Sequence, residues 1–285
     1  MIAWRNPRQI HSSTRVAQNV AAVREGDMGS IVACMRVEIW SDVVCPWCYI
    51  GKRRFETALA NVAIDTDISS VQVSYRAYQL DPTASPGSAE PVAKAYAKKF
   101  GGPQQAAQII AKVTEVAAAD GIDFNMDIAL RANTLLAHRL LWFAEHGSHN
   151  NPGRQADLKE GLLRAYFTDG MNIADPDVLV AYAAEVGFDA TVVKAFLDGD
   201  AGLGEVVEEL ALAASHGITA VPTFVINDTW AVPGAQDVGV FERVIRKILA
   251  TEANEAAEAL ATQIKDANEA LTASATVCED DACAV

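Results

Sequence analysis

Polar and apolar residues alternate along Met35-Arg-Val-Glu-Ile-Trp40, with Val37 and Ile39 on one side and Arg36 and Glu38 on the other. A period of two is the pattern of a strand. From Ile50 to Ala60 the period lengthens: Ile50, Phe55 and Leu59 are separated by Lys52, Arg53, Arg54 and Glu56, which predicts a helix. Val71 to Leu80 alternates again and reads as a second strand, ended by Asp81-Pro82. No strand pattern follows between Ala89 and His216. Segments 90–100, 103–120, 126–146, 154–168, 175–187, 189–198 and 204–216 are rich in Ala, Leu and Glu at helical spacing. Asp175-Pro176 and Asp189 are start signals; Gly101, Gly121, Gly147, Gly170, Gly187 and Gly217 are stops. Strand character returns at Pro222 to Asn227, with a turn signal at Asn227-Asp228 and a short second arm from Trp230 to Gly234. A helix from Val238 to Leu249 closes the pattern, with Val240, Val244, Ile245, Ile248 and Leu249 facing inward. The order β-α-β, helical block, β-β-α is that of an α/β sheet covered by helices and interrupted by a large all-α insertion.

The ends differ from this body. Residues 1–34 carry Arg5, Arg8, Arg15 and Arg24, no acidic residue before Glu25, and no apolar run of the kind a secretory signal needs. They read as a disordered extension, or as a start placed upstream of Met28 or Met35, and the expected compartment is the cytoplasm. At the other end 251–271 is an Ala/Glu-rich helix, and 272–285 is a small, polar, acidic tail expected to stay flexible. The domain reading is therefore 35–85 with 217–250 as the α/β unit and 86–216 as the inserted helical unit. A net charge of −14 argues against a nucleic-acid-binding body and against an anionic membrane surface. No apolar stretch is long enough to span a bilayer.

Five cysteines in 285 residues are too few for a disulfide scaffold. Four of them fall into close pairs: Cys45-x-x-Cys48 and Cys278-x4-Cys283, with Cys34 apart. Pro46 suits the first turn of a helix, so the first pair lies at a strand-to-helix junction. There the unpaired backbone N–H groups and the positive end of the helix favour thiolate. A cysteine so placed falls from ~8.5 into the range of roughly 3.5–7.5. Cys45 is thus expected to attack as thiolate, with Cys48 one turn on to resolve the mixed disulfide. Such exchange needs no cofactor beyond the two sulfurs. The competing zinc reading wants a second ligand pair, and only the distant tail offers one, so no metal is expected. Pro222 opens a strand and cannot donate to its ladder; a cis bond there would present the Val221 backbone to an extended substrate, whereas the pattern alone favours an ordinary trans proline.

Val37-Glu-Ile-Trp-Ser-Asp-Val-Val-Cys-Pro-Trp-Cys-Tyr-Ile-Gly-Lys-Arg-Arg-Phe-Glu56 resembles the DsbA-family oxidoreductases of the FrnE type. So do Arg76 to Pro82, Asn133-Thr134 with Ala137 to Leu140, and Gly217 to Phe224 with Gly234-Ala-Gln236. The resemblance spans about residues 35–250. It implies a thioredoxin fold with a helical insertion, a cis peptide at Val221–Pro222 facing the cysteines, and thiol–disulfide exchange or isomerisation on protein substrates. The dipeptide between the sulfurs is Pro46-Trp47, without the histidine of DsbA, which implies a less oxidising pair. Glutathione-linked 2-hydroxychromene-2-carboxylate isomerases and kappa-class transferases are similar in architecture but usually have serine where Cys45 stands. They make glutathione a candidate co-substrate and a small-molecule isomerase the alternative function; a chaperone-like binding protein is a third. By the same resemblance Asn133, Thr134 and His138 are candidates for the substrate groove. Cys278 and Cys283 are a candidate second redox pair, slower than Cys45 because Glu279, Asp280 and Asp281 lie between the sulfurs. Oligomeric state is left open, a dimer included.

Overall fold

A computed structural model describes residues 2–3, 35–68, 71–85, 90–147 and 152–276. The strands are β1 (Ile2–Ala3), β2 (Arg36–Ser41), β3 (Gln72–Ala77), β4 (Thr223–Ile226) and β5 (Trp230–Pro233). They form one sheet in the order β1-β5-β4-β2-β3, with β2 and β3 parallel and the other pairs antiparallel. The helices are α1 (Pro46–Val62), α2 (Val92–Lys99), α3 (Pro103–Ala119), α4 (Leu135–His146), α5 (Pro152–Phe167), α6 (Pro176–Glu185), α7 (Ala190–Asp198), α8 (Leu203–Ser215) and α9 (Val238–Thr276). The chain is thus a thioredoxin-type α/β sheet holding a seven-helix insertion between β3 and β4 among the described residues.

The β2–α1–β3 crossover makes the parallel pair, with Ile39 beside Tyr75. Asn227 and Asp228 adopt φ of 50° and 55°, the left-handed pair that a tight hairpin turn requires, which is why this dipeptide reverses the chain between β4 and β5. One face of the sheet is sealed by α1 and α9, where Phe55, Phe224 and Phe241 meet at ring separations of 4.7–5.4 Å. A second core fills the helical insertion, and it takes in Val43, Tyr49 and Ile50 from around the start of α1. The sequence boundary at 86–216 is therefore not a packing boundary: the insertion grips the helix that carries the cysteines.

Three boundaries move from those expected. The segment 126–134 is not helical; the Asn133 side-chain amide oxygen accepts from Leu135 N at 3.0 Å and α4 starts only there. The helix predicted for Val238–Leu249 and the separate one for 251–271 are a single helix, because nothing at residue 250 breaks the Ala/Glu pattern. Within the segment expected to be a disordered extension, Ile2–Ala3 pairs with Trp230–Ala231 as an edge strand; the rest of 1–34, with Cys34, lies outside the described residues.

Candidate active site

Cys45 follows β2 and the turn Ser41-Asp42-Val43-Val44, and it is the N-cap of α1 with φ −92° and ψ 114°. Pro46 occupies the first turn, where its missing N–H costs no helical bond. No side chain caps this end. Cys48 is one turn inside the helix. Both cysteines are free thiols and both are buried, at 3% and 2% exposure. Val43, Tyr49 and Ile50 sink into the helical core and draw the turn inward. Trp47 between them is 42% exposed.

The Val221–Pro222 peptide is cis. Cys45 Sγ donates to the Val221 carbonyl at 3.6 Å, and Gly234 N donates to the Pro222 carbonyl at 2.7 Å, tying the proline to β5. Pro222 also meets α1 closely: a Cβ on Gly51 would lie 2.9 Å from Pro222 Cγ and 3.4 Å from Ala235. Gly51→Val should therefore cost roughly 1–3 kcal/mol of stability by overpacking, read as a lower urea midpoint, and should slow disulfide exchange by displacing the proline loop. An unchanged midpoint and rate would show that the contact is slack.

The two sulfurs form one coupled site. The hydrogen bond shared with Cys48, then burial, then the charges of Cys48 and Asp42 push the Cys45 thiol well above the ordinary cysteine range. Burial works against the Cys48 thiolate as well, but the hydrogen bond from Cys45, the charge of Lys159 and the Asp42 backbone outweigh it and bring Cys48 down. At Cys45 the hydrogen bond shared with Cys48 and burial thus oppose the helix end, and the two thiols titrate as one pair.

Behind the sulfurs is a polar layer. Asp42 is fully buried; its carboxylate accepts from Leu80 N at 2.7 Å and from His138 Nε2 at 3.2 Å. His138 Nε2 also lies 3.0 Å from the Tyr78 carbonyl. A carbonyl only accepts, so Nε2 carries the hydrogen and shares it between the two oxygens. Asn133 Nδ2 donates to the Ala84 carbonyl at 2.8 Å, and Thr134 Oγ1 accepts from Gln79 Nε2 at 3.3 Å. The structure places Asn133, Thr134 and His138 behind the site, holding segment 78–84 and Asp42, and not among the residues that line the groove. Cys278 and Cys283 lie outside the described residues. Lys159, from α5, is wholly buried and was not singled out in the sequence.

In front of Cys45 opens a groove of about 940 Å³ that also borders Pro46, Trp47 and Val221. Its walls leave apolar surface open at Leu80, Phe100 and Ile109, each 37–39% exposed. Lys98, Lys99, Lys112 and Arg131 stand around it together with Asp81 and Glu90; Lys98 pairs with Glu90 at 2.7 Å, Arg131 with Asp81 at 2.7 Å and Lys112 with Glu115 at 2.9 Å.

The model of the DSBA-like thioredoxin domain matches residues 36–246. The chain belongs to this family. A DSBA-like chain of known structure from Streptomyces coelicolor, described as a probable DsbA oxidoreductase, is 35% identical, with 75% of this chain and 89% of that one covered and a TM-score of 0.67. An uncharacterised Bacillus subtilis (strain 168) protein, YwbO, is 30% identical over 215 residues, covering 74% of this chain and 96% of its own. The cytosolic disulfide reductase DsbM of Pseudomonas aeruginosa shares the DSBA-like fold at 16% identity and a TM-score of 0.54, over 77% of this chain and 98% of that one. In this DSBA-like chain no helix among the described residues is long and apolar enough to cross a membrane.

Proposed function

We propose that this DSBA-like chain is a thiol–disulfide oxidoreductase that reduces or reshuffles disulfides in protein substrates, in the cytoplasm, with Cys45 as attacking and Cys48 as resolving sulfur. The observation that carries this reading is the Cys45 sulfur itself: it lies at the floor of an open apolar groove, within 3.6 Å of the backbone carbonyl that precedes Pro222. An extended segment laid along Val221 would bring its disulfide to that sulfur, while Trp47, Leu80 and Phe100 cover apolar side chains on either side of the substrate cysteine. Cys278 and Cys283 act in the same reading as a slower second pair.

The second reading is a glutathione-linked reaction. Its support at the groove is Lys99, with Lys98, Lys112 and Arg131 already paired to carboxylates; the Pseudomonas protein has itself been solved with GSH. Two assays on the wild-type protein separate the readings. Reduction of insulin driven by a dithiol, with no glutathione-dependent isomerisation of an aromatic substrate, supports the first. The opposite outcome would overturn it.

A further inference from the structure

We infer that the outer part of α9, residues 251–276, is an interface that pairs antiparallel with the same segment of a second copy of this chain. The inference is independent of the exchange chemistry proposed above.

Helix α9 runs without a break from Val238 to Thr276, but only its root is packed. Phe241, Val244, Ile245 and Ile248 are buried in the core beneath the sheet. Arg246 holds Asp65 at 2.7 Å just past the end of α1, and Asn227 of the hairpin turn donates to Glu252. From Ala253 to Asp266 no residue is buried. Leu260 and Ile264 are 44% and 53% exposed. The segment 251–276 is roughly 39 Å long at ~1.5 Å per residue. A helix meant to stand alone in water would be polar all round, and this one is not.

Ala253, Ala257, Leu260 and Ile264 follow one another at spacings of 4, 3 and 4, and the sequence carries the period on through Ala267 and Leu271. This is a seven-residue repeat, the spacing by which two helices keep a single seam in contact. At ~100° per residue the seam lies roughly 130° around the axis from Phe241, Val244, Ile245 and Ile248. The chain's own body is therefore on another side of the helix and does not cover it.

The charges decide the occupant. Glu252, Glu255, Glu258, Lys265, Asp266 and Glu269 all fall away from the seam and its flanks. The flanking positions are Asn254, Ala256, Ala261, Gln263, Asn268 and Ala270. Charges at such flanks specify a foreign partner, and there are none. Two copies of this helix thus meet with no like charges set against each other, although the segment is acidic. The two ends of α9 also differ in sign. Residues 238–250 carry three basic and one acidic side chain, and 251–276 carry one basic and five acidic. A parallel pair would stack acidic on acidic. An antiparallel pair, with Leu260 across from Ile264, turns each acidic outer end toward the basic root of the other and opposes the two helix dipoles. Cys278 follows the end of α9 by two residues, and the antiparallel order returns that end to the root of the second copy. Seam and flanks between 253 and 271 amount to 12 residues a side. That is about half the ~20–30 of a standard interface, so the pair is a weak one, with a dissociation constant on the order of 10 µM.

Three measurements test this on the full chain. Sedimentation of the wild type over roughly 1–100 µM, a range that brackets that constant, should show a monomer passing to a species of twice the mass; a monomer throughout overturns the inference. Leu260→Glu with Ile264→Glu should remove the dimer over the whole range, while Glu258→Gln, on the charged side, should keep the wild-type curve. A dimer that survives the double variant is formed elsewhere on the chain and overturns the inference equally. If the double variant does not fold, Leu260→Ala with Ile264→Ala takes its place and should weaken association about tenfold or more. For the orientation, Ala257→Cys chains mixed with Ala267→Cys chains should give, on mild oxidation, a peptide joining the two introduced cysteines, and Ala257→Cys chains alone should give none. The reverse pattern overturns the antiparallel order. None of these readouts involves Cys45 or Cys48, so a failure of the exchange reading would appear separately, in the insulin assay.

Discussion

Cys45→Ser should abolish dithiol-driven reduction of insulin, a loss of roughly 10³-fold or more, because a hydroxyl does not displace sulfur from a disulfide. The companion result is different in kind. Cys48→Ser keeps the attacking sulfur and removes the resolving one, so it should accumulate covalent mixed disulfides that a reductant releases. Non-reducing mass spectrometry after exposure to an oxidised protein substrate reads both. If Cys45→Ser retained wild-type turnover, the chemistry would not pass through this sulfur, and the glutathione-linked reading would gain, since its resembled enzymes carry serine there. If Cys48→Ser formed no adduct and still turned over, Cys48 would have no part in resolution. The geometry separates the two roles: Cys45 borders the groove, and Cys48, which does not, is buried one turn inside α1.

The second large effect is on stability. Glu160 takes Lys52 Nζ at 2.8 Å, the Tyr49 hydroxyl at 2.7 Å and the Arg53 guanidinium, with Lys52 itself almost wholly buried. Glu160→Ala leaves three donors of α1 short of an acceptor. Breaking a buried ion pair from one side costs roughly 3–5 kcal/mol. Glu160 is about a quarter exposed and Lys52 keeps Glu56 at 2.7 Å, so a loss of about 2–4 kcal/mol is expected here, read from the urea midpoint. Glu160→Gln should recover part of it. A loss below about 0.5 kcal/mol would place the cluster with surface ion pairs. The pH dependence has a definite sign. Burial raises the Glu160 carboxyl, but Lys52, Arg53 and Tyr49 together hold it below its ordinary value. The unfolded chain therefore binds this proton more readily than the folded one, and the stabilisation is present above the unfolded carboxyl range near ~4.3 and is lost as pH falls through the folded value.

Much of the fold is legible because its signals are local. Val37 and Ile39 alternate, Pro46 fits only the first turn of α1, and Asn227-Asp228 tolerates the left-handed turn; each needs no knowledge of distant residues. The cis bond at Pro222 was beyond pattern and came from the resemblance. The polar layer was missed because it is assembled across the chain. Asp42 meets His138, and Lys159 reaches the Tyr75 ring, only once the helical block has docked on α1 and β3. A local signal for Lys159 did exist: Gln155, Lys159, Leu162 and Tyr166 fall on one line of α5 at i, i+4, i+7 and i+11, and a lysine on an otherwise inward-facing stripe is a charge the fold intends to bury. The helix-end argument for Cys45 was incomplete for a related reason: it treated one sulfur beside one dipole, whereas two buried sulfurs and the Val221 carbonyl share that end of the helix.

The measurement closest to the central claim is the redox titration of the pair. The full-length protein is equilibrated in buffers of reduced and oxidised glutathione, quenched with acid, alkylated and digested. The account predicts a single two-electron transition in which Cys45 and Cys48 lose reactivity together and are recovered as one disulfide-linked peptide. Cys45 remaining as a stable glutathione adduct while Cys48 stays alkylatable, or both remaining thiols across the whole series, would contradict it.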